Sequence, residues 1–130
     1  MSVYIYGAII VFFVVWELGW YYMGVGLMAP WKLKKNLAQM QKEMTFIDVR
    51  TLAEYKMFHI EGAKHLPEIL AFPDAADGID RNKPILVMCM TGHRSPIAAY
   101  MLKKHGFKNV YHLSWGMLGW KLSGGPTLKS

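Results

Sequence analysis

Val3 to Met28, VYIYGAIIVFFVVWELGWYYMGVGLM, carries one charged side chain, Glu17, in 26 residues. A helix apolar on every side has no face to turn to water, so it is either buried all round or set in lipid. At 1.5 Å per residue it would reach roughly 39 Å, more than the ~30 Å hydrocarbon core of a bilayer. Tyr4 and Tyr6 near one end and Trp20, Tyr21 and Tyr22 near the other suit the two interfacial aromatic belts, with Met23 to Trp31 emerging through the head groups. A cleaved signal peptide would need a basic start and an Ala-x-Ala site, and neither precedes Pro30. Residues 1–30 therefore read as a retained single-pass anchor in contact with membrane lipid.

Lys32, Lys34, Lys35 and Lys42 follow at once, while no side-chain charge precedes the span. The positive-inside bias sets the N-terminus outside and the remainder in the cytoplasm. In residues 31–44, WKLKKNLAQMQKEM, Leu33, Leu37, Met40 and Met44 recur at helical spacing. This segment reads as a basic helix along anionic lipid or as a solvated linker, and the sequence leaves both open. Glu17 is the anomaly, because a carboxylate in hydrocarbon costs roughly 2.5–3.5 kcal/mol unless it is paired or near water. It marks a candidate contact to an integral membrane partner, unless the span ends near Trp20 and the carboxylate reaches the head groups. Gly19, Gly24 and Gly26 allow close helix approach but form no GxxxG pair.

Residues 45–130 are enough for one modest core. They carry eleven basic against seven acidic residues, scattered along the segment. That mild charge argues against a nucleic-acid surface despite a pI near 9.5. A single cysteine allows no internal disulfide. Thr45–Val49 and Ala63–Leu66 read as strands flanking a short helix, which Thr51 and Glu54 open as a capping box and Gly62 stops. Residues 68–84 read as a loop with at most one helical turn around Ile69–Phe72. Ile85–Met88 is an apolar strand, and Ser95 as N-cap with Pro96 at the first position opens a helix that Gly106 ends. Asn109–Leu113 is a further strand, followed by a glycine-punctuated tail with a short helix over Met117–Leu122. Strands alternating with helices at this spacing predict an α/β domain, a small parallel sheet covered by helices.

The chemistry concentrates at residues 89–95, CMTGHRS. Cys89 ends a buried strand and sits in a tight strand-to-helix loop, where sites of open α/β sheets lie. Gly92 lets the loop curl so that backbone N–H groups face its centre, and Arg94 adds a permanent cation. The helix that begins just beyond points its positive end at the sulfur. All three favour a thiolate, the nucleophilic form. Of the five histidines none is paired at metal spacing, and with one cysteine no metal or cofactor site is expected. His93 is read as a solvent-facing loop residue.

CMTGHRS resembles the active loop CxxGxRS of the rhodanese sulfurtransferases. DVRTLAEYKMFHIEGAKHLP is similar to that family's DVRxxxEYxxxHIxGAxxLP block, and NVYHLSWGMLGWKLSGGP to its C-terminal segment. The likeness covers residues 45–126 and implies a rhodanese-like domain over 45–130. It implies that Cys89 takes a sulfane sulfur from thiosulfate or a persulfide donor, becomes a persulfide, and passes the sulfur to a thiol acceptor. Met90, Thr91, Gly92, His93 and Ser95 would line the persulfide with backbone amides, and Arg94 would steer the donor or lock the loop. Asp48 and Arg50 would brace the loop from beneath, with His59 and Gly62 architectural. Phosphatases of the same fold have one more residue between cysteine and arginine, so the four here, Met90 to His93, favour sulfur. Two departures stand out. The family's first strand has no counterpart in this reading, leaving a sheet that lacks an edge strand or pairs with a partner, and Trp115 stands where the first glycine of a GG pair is expected, so that it crowds or gates the mouth of the pocket. An accessory subunit, docked on a membrane complex through the span and Glu17, is the alternative.

Overall fold

The computed structural model describes residues 2–129. Helix α1 (Ser2–Tyr22) leads into strand β1 (Gly26–Met28), then α2 (Pro30–Lys35), α3 (Leu37–Glu43), β2 (Thr45–Asp48), α4 (Leu52–Met57) and β3 (Lys64–His65). Two 3-10 turns (Pro67–Leu70 and Pro73–Ala76) precede β4 (Ile85–Met88), α5 (Ser95–Lys104), β5 (Val110–Leu113) and α6 (Gly116–Leu122). The strands form one wholly parallel sheet in the order β1-β5-β4-β2-β3.

Strand β4 is central and buried along its length, as its unbroken apolar run requires of a strand covered on both faces. Its side chains alternate. Ile85, Val87 and Cys89 join the core under α5 with Ala98, Ala99 and Leu102, while Leu86 and Met88 join Leu33, Met117 and Trp120 on the other face. The basic segment 31–44 forms α2 and α3, which pack their apolar stripe onto that second face, with Leu33 wholly buried. The capping box of α4 forms as expected: Thr51 Oγ1 accepts from the Glu54 N–H and the Glu54 carboxylate accepts from the Thr51 N–H.

Besides a second 3-10 turn at Pro73–Ala76, where residues 68–84 were expected to hold one helical turn at most, two expectations are corrected. The sheet does have its edge strand, supplied by Gly26–Met28, which pairs with Tyr111–Leu113. In sequence these residues read as the tail of the apolar span, because a three-residue strand leaves no periodicity of its own. The break lies at Gly24, whose φ of +94° ends α1 in a Schellman motif: Val25 N–H donates to Trp20 O (2.9 Å) and Gly24 N–H to Tyr21 O (3.0 Å). The second correction concerns Ser95, which is the first residue of α5 and caps nothing. Its hydroxyl turns inward to better partners described below.

Helix α1 has no fully buried residue, yet Phe13, Trp16, Glu17 and Trp20 are partly covered while their neighbours are exposed. Their i, i+3, i+4, i+7 spacing is one helical stripe, and it lies on the domain. Trp20 packs on Tyr100 of α5, and the Phe13 ring sits 4.8 Å from that of Trp115. The helix is long and apolar enough to cross a membrane, with mean hydropathy 1.8.

Candidate active site

Cys89 follows β4 directly, and the chain from Met90 to Arg94 curls around its sulfur before α5 begins. The Sγ atom is buried and accepts from the backbone N–H groups of Gly92 (3.1 Å), Arg94 (3.3 Å) and Ser95 (3.3 Å). These donors converge because Gly92 takes φ +83°, a left-handed turn that L side chains resist. A side chain there would also press on Trp115 N, 3.0 Å from its Cβ position. Below the loop, Gly116 at φ +57° admits the Cys89 and Met90 backbone, and a Cβ there would lie 2.4 Å from Cys89 O. Met117 and Leu118 N–H then donate to Cys89 O and Met90 O, tying α6 to the loop. A sulfur held by three convergent N–H groups is a seat for an anion, a thiolate or the persulfide that extends it.

The other loop residues divide. Met90 is half-buried, Thr91 and His93 are exposed, and the hydroxyl of Thr91 pairs with His93 Nδ1 at the loop's outer edge. Among the described residues only the amides of Gly92, Arg94 and Ser95 reach Sγ; those of Met90, Thr91 and His93 do not. The Arg94 guanidinium pairs with the Glu54 carboxylate at 3.2 and 3.3 Å. Partial burial raises the Glu54 carboxyl, but the Thr51 N–H and the Arg94 guanidinium outweigh it and hold the group below its ordinary range. In this arrangement Arg94 fastens the loop to α4.

Asp48 and Arg50 form a fully buried bidentate pair, Nε to Oδ1 at 3.0 Å and Nη2 to Oδ2 at 2.9 Å. Arg50 Nη2 also donates to Phe58 O, and His65 Nε2 lies 2.7 Å from Arg50 O. Their polar partners thus join β2, β3 and the end of α4 rather than residues 89–95. His59 stacks on Tyr55 and bridges to Leu128, and Gly62 turns the chain at φ +87°.

Trp115 stands at the mouth of the pocket as expected, but nothing in the sequence indicated that α1 lies over the loop. A cavity of about 70 Å³ separates α1 from the loop, walled by Phe13, Trp16, Thr91, Gly92 and Trp115. Trp16 Nε1–H donates to Gly92 O at 3.4 Å, and Trp115 adopts φ +63°, the one described non-glycine residue in that region. Its φ is the one a glycine would hold at no cost. The Glu17 carboxylate finds a partner within its own chain, His112 Nε2 at 3.0 Å, with Ser114 Oγ at 3.4 Å. His112 is wholly buried, and its Nδ1 lies 3.2 Å from Ser95 Oγ. The signal available in sequence was the lone charge at Glu17; nothing in the spacing tied it to His112.

A profile of the Rhodanese-like domain matches residues 31–123. The chain is 32% identical over 100 residues to the thiosulfate sulfurtransferase GlpE of Coxiella burnetii (strain RSA 331), covering 77% of this chain and 88% of that one. It is 34% identical over 86 residues to the candidate sulfur carrier protein YrkF of Bacillus subtilis (strain 168), covering 66% of this chain but 46% of that longer protein. Among solved structures, the rhodanese-like domain of an Anabaena protein superposes with a TM-score of 0.72 at 30% identity, over 80% of this chain and 79% of its own.

Proposed function

The chain belongs to the rhodanese-like domain family, and from that premise we infer that it is a working sulfurtransferase whose Cys89 carries the sulfur as a persulfide. The observation that carries this reading is the triple N–H seat at Sγ: a neutral buried thiol gains little from three convergent donors, whereas a thiolate or terminal persulfide anion gains much. The sulfane donor is thiosulfate or a persulfide, and the acceptor is a thiol. Cys89 is the nucleophile. Gly92, Arg94 and Ser95 hold the anion through their backbone, Met90, Thr91 and His93 shape the loop, Arg94 locks it, and the Asp48–Arg50 pair stiffens the ground beneath. Residues 45–130, with β1 completing the sheet, form the catalytic unit. Intact-mass measurement of the full chain after incubation with thiosulfate, and separately with glutathione persulfide, should show a gain of one sulfur that vanishes in Cys89→Ser. If no sulfane donor yields an adduct, the sulfurtransferase reading fails.

The same proposal includes membrane attachment through α1, N-terminus outside and catalytic unit in the cytoplasm. Its support is the length and apolarity of α1, the exposed Ile5, Ile9, Ile10, Val14 and Leu18, and the lysines at 32, 34, 35 and 42. Protease added outside intact spheroplasts should leave the domain whole, and the same protease should digest it once the membrane is permeabilised. An accessory role on a membrane complex is favoured by one feature, the apolar groove of about 400 Å³ along Ile9, Ile10, Phe13, Leu18 and Trp115. Co-migration with a larger assembly in mild detergent would support that role, and an isolated monomer or homodimer would eliminate it.

A further inference from the structure

Four side chains form a single line into the site: Cys89 Sγ to Ser95 Oγ at 3.5 Å, Ser95 Oγ to His112 Nδ1 at 3.2 Å, and His112 Nε2 to Glu17 Oε2 at 3.0 Å. Their hydrogen-bonding capacities fix one direction. An ionised carboxylate only accepts, so Nε2 carries the proton toward Glu17, and Nδ1 of the neutral ring is then an acceptor. Ser95 must therefore donate to Nδ1, which leaves its oxygen free to accept from the thiol. The line runs S–H to O–H to ring nitrogen, with a carboxylate behind the ring, and every member is consistent with every other. We propose that Ser95, His112 and Glu17 are a proton-accepting relay for Cys89, and that the N-terminal helix completes the active site by supplying its final carboxylate.

Resting on the sulfur-transfer reading above, the step is as follows. The thiol proton passes to Ser95 Oγ while the hydroxyl proton of Ser95 passes to His112 Nδ1. The resulting imidazolium is held by Glu17, and the thiolate by the amides of Gly92, Arg94 and Ser95. The electron pair freed on Sγ forms a bond to the donor's sulfane sulfur as that atom's bond to its leaving group breaks, and the leaving group departs with that pair, sulfite in the case of thiosulfate. When an acceptor thiolate takes the outer sulfur, the Cys89–sulfur bond breaks, its pair returns to Sγ, and the proton comes back along the relay. The cycle consumes no oxidant or reductant. His112 and Glu17 touch no substrate; they are positioning residues that act through Ser95. The titratable groups hydrogen-bonded to His112, directly or through Ser95, are Glu17 on α1 and Cys89 after β4; Ser114 beside Glu17 does not titrate.

The relay also accounts for a carboxylate in the middle of an otherwise uncharged helix. Loss of a positioned proton acceptor costs on the order of 10²-fold in rate. The test uses the full chain in mild detergent with wild type, Glu17→Gln, Glu17→Asp, His112→Gln and Ser95→Ala. Two readouts are taken against pH: the rate of Cys89 alkylation by iodoacetamide, and the rate of sulfur loading from thiosulfate. Glu17→Gln keeps a polar group of the same shape but loses the charge that holds the imidazolium. It should shift the rising limb of alkylation to higher pH by about one unit and slow loading near neutrality by roughly tenfold to a hundredfold, with KM for thiosulfate unchanged. Glu17→Asp should recover part of the loss. Alkylation profiles of folded Glu17→Gln and Ser95→Ala that coincide with wild type would overturn the relay, whatever becomes of the buried His112 variant. A wild type that alkylates normally yet loads no sulfur would overturn the sulfurtransferase reading instead, and the alkylation series would still decide the relay.

Discussion

Two sets of groups meet at Cys89 Sγ: the backbone amides of Gly92, Arg94 and Ser95, all within six residues of the thiol, and the side-chain line through Ser95 and His112 to Glu17, whose last two members stand 95 positions apart. The first set is main chain. Short of proline, no substitution deletes an amide N–H, so this seat is otherwise lost only when the path of the loop changes. The second set hangs on one docked helix and can be removed atom by atom. It is also exposed to competition. Phe13 to Trp20 lie on the domain, and the residues before Phe13 extend only about 16 Å, half of a hydrocarbon core of ~30 Å. A helix that inserts along its whole length draws Glu17 away from His112, so the amide seat is permanent while the relay is conditional on docking.

The strongest way to break the permanent half is Gly116→Ala. Its new Cβ would meet Cys89 O at 2.4 Å and the Met90 carbonyl at 2.7 Å, all backbone atoms, at a φ of +57°. The loop must move. We expect a stability loss of about 3 kcal/mol, seen as a lower Tm, together with loss of sulfur loading. A variant that melts and loads like wild type would show that the loop does not depend on this close approach.

Glu54→Gln addresses how Arg94 is held. The Arg94–Glu54 pair is partly exposed, so its loss should cost about 1 kcal/mol or less at neutral pH. Because the folded carboxyl is held below its ordinary value, its contribution is complete above the unfolded Glu range, near 4.3, and disappears as pH falls through the lower folded value. The stability gap between wild type and Glu54→Gln should accordingly close under acid. A gap that persisted unchanged at pH 3 would place the effect elsewhere.

The smallest expected change is at Trp115. A non-glycine residue in the left-handed region costs roughly 1–2 kcal/mol, and an aromatic pair such as Phe13–Trp115 returns about 0.5–1.5 kcal/mol. Trp115→Gly should therefore shift stability by less than about 1 kcal/mol. It should at the same time widen the cavity over the loop and raise loading rates for bulky persulfide donors relative to thiosulfate. Equal acceleration of both would refute the crowding role.

Much of this was legible in the chain. The central strand showed as an apolar run, the capping box of α4 as Thr51 and Glu54, and the curl of the loop as Gly92, because each rests on residues adjacent in sequence. Reading failed where short range gave no signal. Gly26–Met28 is too short to announce a strand and was absorbed into the apolar run before it. Ser95 looked like a cap because an N-terminal serine usually is one, but a buried hydroxyl takes the strongest available partners, here a histidine and a thiol from other elements.

By itself, then, the sequence determined the lone cysteine at the end of an apolar strand, the glycine-turned loop that favours an anion there, the alternating α/β order and an apolar helix of membrane-crossing length. Local spacing and backbone sterics are sufficient for each. Only the tertiary structure decided that the lone carboxylate of that helix faces His112. The pairing follows from the Schellman turn at Gly24 and from β1 taking its place beside β5, and a contact of such long range is fixed by the sum of the packing rather than by any stretch of residues.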